Sequence, residues 1–278
     1  MTVDRRRILR TTAQLATLTA AGGLLPACTN EATTAGPPAP SAPPSAKPDA
    51  ATADALPTPP PAPSPSAPTA PVLAPLAPGT PEEVVNGPRD RPQVALTFHG
   101  QGDPALATAL LTAAEQHGAQ LTVLVVGSWL DQQPQMARRI LDGGHELGNH
   151  TLNHLDISTM TPDQAYAEIA GCAERMKTLT GSIGRWFRPS AAQYTTAGVK
   201  EQARRVGYEH FLSYDLDPLD YADPGAEVVQ RRILHSVAAG SVVALHMGHQ
   251  GTIDALPGVL DGLAQRGLKA VTASQLWA

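Results

Sequence analysis

Cysteine is nearly absent from this chain: Cys28 and Cys172 are the only two in 278 residues. That count excludes a disulfide framework. Aromatic residues make up only 4%, so a site that stacks sugars has few side chains to draw on. No basic stripe or aromatic-spaced basic motif occurs, which argues against nucleic acid as a partner. No G-x-S-x-G elbow is present, so an acyl-enzyme has no nominated serine. The apolar stretch 11–28 falls short of the roughly twenty apolar residues that a membrane span needs.

What is present begins with an address. "DRRRILR" (4–10) sets arginines before the small-residue apolar stretch, the layout of an export signal. The pair Arg5-Arg6 resembles a twin-arginine signal. "LPAC" (25–28) resembles a lipobox, with Cys28 as the lipidated residue. Residues 1–28 are therefore read as an export signal that leaves the protein anchored by lipid to the outer face of a bacterial cytoplasmic membrane. Residues 29–81 follow as a disordered Pro/Ala-rich tether; 17 of the 27 prolines lie between 37 and 81. In polyproline II, at about 3.1 Å per residue, those residues reach roughly 140 Å. Loss of residues 1–28 removes four Arg and one Asp, leaving 16 basic and 24 acidic residues, a net charge near −8.

Residues 82–278 read as one folded domain. Strand patterns lie at 93–98, 121–126, 145–148, 185–188, 208–213, 241–246 and 269–272, with helical patterns at 104–117, 133–142, 162–180, 195–206, 225–239 and 254–266. Alternation of this kind implies parallel strands joined by crossover helices. About seven strands are too few for a full eight-unit barrel. The expectation is a shortened or distorted (β/α) barrel, with a doubly wound open sheet as runner-up. In both, the site lies at the C-terminal ends of the strands. Those ends carry "HGQGD" (99–103), "NHTLNH" (149–154), "RPS" (188–190), "YDLDPLD" (214–220) and "HMGH" (246–249).

His150 and His154, four apart, share one face if "TLNH" begins a helical turn, which suits two imidazoles on a Zn²⁺-like ion. His145, at the start of its strand, is not expected to join them. Cys172 falls in a helical pattern and reads as a small buried residue.

The ordered segments "VALTF…D" (94–103), "HELGNHTLNH" (145–154), "WFRPS" (186–190), "DLDPLD" (215–220) and "VVALHM" (242–247) resemble the motifs of the polysaccharide deacetylases with NodB homology. The resemblance implies His150 and His154 as metal ligands. The family's first motif reads Thr-Phe-Asp-Asp-Gly, with the first Asp as base and the second as third ligand. Here Thr97-Phe98 is followed by His99-Gly100-Gln101-Gly102-Asp103. In the preferred arrangement the glycines fold the loop back, Asp103 is the third ligand and His99 the base. In the other, His99 is the ligand and Asp103 accepts the proton. The resemblance also implies His246 as general acid. Met247 stands where the family has an Asp, so Asp217 or Asp220 must orient His246, and Asp217 is the one nominated. Arg188 is expected to fix a carboxylate by bidentate pairing. Trp186 and Tyr194 join it as expected substrate contacts, with Trp129 and Tyr221 as further aromatic candidates.

The implied activity is hydrolysis of N-acetyl or O-acetyl groups on a cell-envelope polysaccharide such as peptidoglycan. One divalent ion assists it, Zn first and Co, Mn or Ni as alternatives. Two other readings stand beside it: a catalytically degenerate cell-wall glycan-binding lipoprotein, and a metal hydrolase of small non-sugar amides.

Overall fold

The computed structural model describes residues 70, 71, 73 and 75–278. The expected signal, Cys28 and the tether as far as residue 69 lie outside the described residues. Eight strands form: β1 (Glu83–Val84), β2 (Gln93–Gly100), β3 (Thr122–Val125), β4 (Glu146–Asn149), β5 (Trp186–Phe187), β6 (His210–Leu212), β7 (Val242–His246) and β8 (Lys269–Val271). Seven coincide with the expected strands; β1, two residues long, is the addition. Every ladder is parallel. The order is β1-β6-β5-β4-β3-β2-β7, with β8 on the free lower part of β2. This is the expected distorted barrel. No ladder joins β1 to β7; the chain leaving β6 fills the seam through a single bridge, Leu216 to Val243.

Period-two alternation sorts the strand side chains into two layers. Val94, Leu96, Phe98, Val123, Val125, Leu147, Val243 and Leu245 belong to the large core shared with the helices. Ala95, Leu124, Trp186, Leu212 and Val242 form a separate inner cluster. His99 and His246 follow the inner set by parity, so both reach the upper mouth of the barrel. Fully burying one such aliphatic side chain stabilises by about 1.5–3 kcal/mol.

The helices are α1 (Pro104–Gln116), α2 (Gly127–Gln132), α3 (Gln135–Asp142), α4 (Pro162–Thr180), α5 (Ala197–Val206), α6 (Ala226–Ser236), α7 (Gln250–Gln265) and α8 (Ala273–Leu276). Their ends follow local chemistry. Thr161 and Gln164 form a capping box ahead of α4, which stops at left-handed Gly181. Gly207 ends α5 in the same way. Helix α7 starts four residues earlier than the sequence pattern suggests and so carries Pro257 in its interior. No helix among the described residues is long and apolar enough to cross a membrane.

At the opposite end from the site, Glu146 ties four segments together. It accepts from Thr122 Oγ1 (3.0 Å), Trp186 Nε1 (3.1 Å) and the backbone N of Ser274 (3.1 Å), and from the Ser274 hydroxyl. Trp186 is fully buried here, inside the barrel wall. The expectation that it meets substrate is corrected: β5 turns its indole inward and downward. The described end of the Pro-rich segment packs against the same region. Leu76 lies on the inner cluster and the Ala77 N–H donates to Trp277 O at 2.7 Å.

Candidate active site

Strand β2 continues straight through Gly100, whose carbonyl accepts from Val126 N and which pairs with Val125. The chain then turns at Gly102 (φ 111°), where an added Cβ would stand 2.6 Å from the Cα of Gly248. Trp129 Nε1 donates to the Gly102 carbonyl at 2.8 Å. So pinned, the loop does not fold back. Asp103 instead is exposed and caps α1, accepting from Ala105 N at 2.7 Å, with Pro104 as the first helical residue. The preferred placement of Asp103 as third ligand is therefore corrected.

His99 takes the position beside the histidine pair. The rings of His99 and His150 lie 4.1 Å apart, and those of His150 and His154 lie 4.8 Å apart. Nitrogens of His99, His150 and His154 all fall within 4.8 Å of one another. His150 leaves the end of β4 buried, and its Nδ1 meets the Arg188 carbonyl at 3.0 Å. That contact turns its Nε2 toward the Nε2 of His154, 3.1 Å away. Both ring nitrogens of His99 are buried without a protein partner, an expensive state for a polar group unless something else binds there.

Burial, reinforced by the neighbouring histidines, holds His99 and His150 well below the ordinary imidazole value. Burial lowers His154 as well. The three thus favour the neutral form that a metal ligand needs. The set fits a single divalent ion bound by three imidazoles.

The loop holding this geometry is strained and heavily tied. Residues 150–154 do not form the expected helical turn. Thr151 (φ 69°) and His154 (φ 57°) are left-handed, which costs a non-glycine residue energy unless its surroundings enforce it. Here they do. Asn149 Oδ1 accepts from Thr151 N, Thr151 Oγ1 accepts from His154 N, and the Glu168 carboxylate grips Asn153 twice, at 2.8 and 2.7 Å. Ser190 receives the Thr151 hydroxyl and donates to Leu155 O. The polar letters of "NHTLNH" and "RPS" thus serve mainly to bend the backbone. His145 stands apart, its Nδ1 accepting from Leu121 N at 3.0 Å.

His246 ends β7 opposite His99, with ring centroids 4.3 Å apart. Its Nδ1 meets Asp220 Oδ1 at 2.8 Å, and its backbone N–H donates to Asp220 Oδ2 at 2.8 Å. Thr252 Oγ1 adds a third donor to that buried carboxylate at 2.6 Å. Asp220, on a 3₁₀ turn Asp220–Ala222, is therefore the partner of His246. The nomination of Asp217 for that role is corrected: its hydrogen bond among the described residues is to Leu219 N. His249 pairs with Asp223 at 2.8 Å.

Arg188 is fully buried and donates to the carbonyls of Leu212 (2.6 Å) and Ser213 (3.0 Å), while its Nη1 has no partner. Burial brings its pKa down to about 9, so it stays charged at neutral pH. The expected bidentate carboxylate pairing is not formed, because the first motif has no carboxylate to offer, and Arg188 does not reach substrate space. Burial raises the Cys172 thiol to about 12, which leaves it inert.

Above the histidines opens a pocket of about 420 Å³, lined among others by Gln101, Gln193, Tyr214, Asp217, Tyr221 and His249. Tyr194 is 54% exposed and stands outside that lining. Tyr214, two residues past β6, opens the strand-end segment 214–220 without having been singled out, and Gln193, which carries no local signal, was passed over.

The two loop histidines and the His–Asp pair, set on an open α/β barrel, are arranged as the ordered motifs of the polysaccharide deacetylase family imply. The sequence model of that family matches residues 86–211, and the chain belongs to it. It is 29% identical over 199 residues to a peptidoglycan-N-acetylglucosamine deacetylase of Bacillus cereus, covering 68% of this chain and 90% of that one. It is 31% identical over 170 residues to a chitooligosaccharide deacetylase of Rhizobium leguminosarum, covering 59% and 73%. In fold it is similar to a CE4 family pseudoenzyme from Bacillus anthracis, with a TM-score of 0.67 and 21% identity over 72% of this chain and 70% of that one.

Proposed function

We propose that this protein removes N-acetyl groups, or O-acetyl groups, from a cell-envelope polysaccharide, with peptidoglycan first among the candidates. The observation that carries the reading is the convergence of His99, His150 and His154 nitrogens within 4.8 Å, beneath the pocket and beside the His246–Asp220 pair. His99, His150 and His154 would hold a divalent ion, Zn²⁺ first and Co²⁺, Mn²⁺ or Ni²⁺ as alternatives, which would supply carbonyl polarisation and make a water more acidic. The Arg188 carbonyl fixes the tautomer and orientation of His150. Asp220 holds a proton on His246 Nδ1 and leaves the Nε2 lone pair free to take the proton lost by the attacking water and return it to the departing sugar nitrogen. With His99 in the ligand set, His246 is the one stacked imidazole left for proton transfer.

Metal stoichiometry on the loaded protein, paired with acetate release from peptidoglycan, tests the reading. Near one ion per chain, lost in His99→Ala and kept in Asp103→Ala, with acetate released, supports it. Substoichiometric metal under every loading condition sinks it.

One observation favours a second reading. Among the described residues no carboxylate joins the histidine trio, so the family's separate base has no occupant. A glycan-binding lipoprotein without turnover would hold metal and glycan yet release no acetate. The small-amide reading gains no such support: among the described residues Leu155, Tyr194, Leu219 and Tyr221 are the exposed large apolar side chains, and all belong to the strand-end loops, where an extended ligand would run.

Export through the Arg5-Arg6 signal and lipid on Cys28 would place the domain outside the cytoplasmic membrane; the support is the sequence signal alone. Cys28→Ala should release the protein from the membrane fraction, and retention there would count against the anchor.

A further inference from the structure

Beside the His246–Asp220 pair stands a second pair of the same make, His249 with Asp223, which the proton transfer above does not use. The two histidines are three residues apart and so are the two aspartates, and each pair joins Nδ1 to Oδ1 at 2.8 Å. The pairs differ in depth. The Asp220 side chain is fully buried, and its histidine touches His99. The Asp223 side chain is 69% exposed, and the ring of His249 has His246 as its neighbour, 5.8 Å away. His249 thus stands one imidazole farther from the trio, on the wall of the pocket that it helps to line.

His249 is fixed from two sides. Its carbonyl accepts from Thr252 N at 3.0 Å at the start of α7, and Asp223 holds its ring. Asp223 is left-handed (φ 49°) and closes the 3₁₀ turn, its N–H donating to the Asp220 carbonyl at 3.0 Å. In the neutral ring, a proton held on Nδ1 by Asp223 leaves Nε2 as an acceptor. Tyr221, between the two aspartates, lines the same pocket; it is 50% exposed, with its ring 5.4 Å from that of His246. An open aromatic ring beside a fixed acceptor suits a sugar, which offers an apolar face and a hydroxyl at its edge.

We propose that His249, oriented by Asp223 and flanked by Tyr221, forms a sugar-binding subsite outside the reacting centre, with His249 Nε2 accepting a hydroxyl of the bound glycan. The inference rests on the reading of the pocket as a glycan site. It goes further by dividing the labour of the two pairs: the inner one moves protons and the outer one binds sugar. Asp223 is the positioning residue of the outer pair.

The test uses the full-length chain in detergent, loaded with Zn²⁺. Titration calorimetry with an N-acetylglucosamine tetramer is paired with acetate release from that tetramer and from 4-nitrophenyl acetate, an acetyl ester without a sugar. His249→Ala should weaken tetramer binding about three- to tenfold, the size of one neutral hydrogen bond. KM for the tetramer should rise by the same factor, with kcat unchanged and nitrophenyl acetate turnover untouched. Asp223→Ala should shift affinity in the same direction by less, and unchanged Zn²⁺ content in both variants verifies an intact trio. Tetramer affinity unchanged in His249→Ala overturns the proposal. So does an equal fall in turnover of both substrates, which would make His249 a proton-transfer group; either result leaves the deacetylase reading standing. A wild type that binds the tetramer and releases no acetate from any glycan sinks the deacetylase reading, while the affinity of His249→Ala still decides the subsite.

Discussion

His99 and His246 are register partners on adjacent parallel strands, with ring centroids 4.3 Å apart and planes at 83°. Two inward positions of a barrel cannot be this close by accident of a loop; the β2–β7 ladder sets the distance. His99 is thereby committed to the floor of the site, while Asp103, four residues on, is committed to a helix cap.

His99→Ala should lower metal affinity by more than about 100-fold, beyond what loss of an outer-shell partner costs. Asp103→Ala should keep the metal and lose about 1 kcal/mol of stability, the value of an N-cap. Competition with a chelator reads the first and urea unfolding the second. Metal lost in Asp103→Ala would return that residue to the ligand set.

Asp220→Asn should reduce turnover by about 10²- to 10⁴-fold, the range of a general acid–base contribution. Metal content should be unchanged, since Asp220 touches His246 and not the trio. A variant with wild-type turnover would remove His246 from the proton-transfer role.

Burial raises the pKa of Glu146 despite its hydroxyl and backbone donors. A carboxyl whose folded pKa lies above its unfolded value binds its proton more tightly when folded. Its stabilisation is complete below the unfolded pKa and disappears as pH rises through the folded one. Stability should therefore decline from the ordinary carboxylate range upward, and Glu146→Gln should flatten that slope in unfolding curves taken across pH.

Leu76→Ala should destabilise the domain by about 1 kcal/mol, as a half-buried side chain truncated at the edge of a core. Removing residues 70–81 altogether should cost more, because the Ala77–Trp277 hydrogen bond goes with it. Thermal unfolding of chains beginning at residues 70 and 82 measures the difference.

Much of this molecule is written locally. Strand alternation needs only residues two apart, and helix ends need only a cap and a glycine. The barrel, its seven principal strands and the end at which the site lies therefore follow from the sequence. So do His150, His154 and His246, which sit at or just past strand ends. The third histidine, the partner of His246 and the fates of Arg188 and Trp186 do not. Each depends on which way one side chain points, and that direction comes from segments far along the chain. Gly248 and Trp129 fix the turn at Gly102, which leaves His99 in the site and Asp103 outside it. A 3₁₀ turn presents Asp220 rather than Asp217 to His246, and Glu146 with Ser274 draws Trp186 into the barrel. Local periodicity places a residue on a strand or in a loop. Only packing between distant elements decides what its side chain touches.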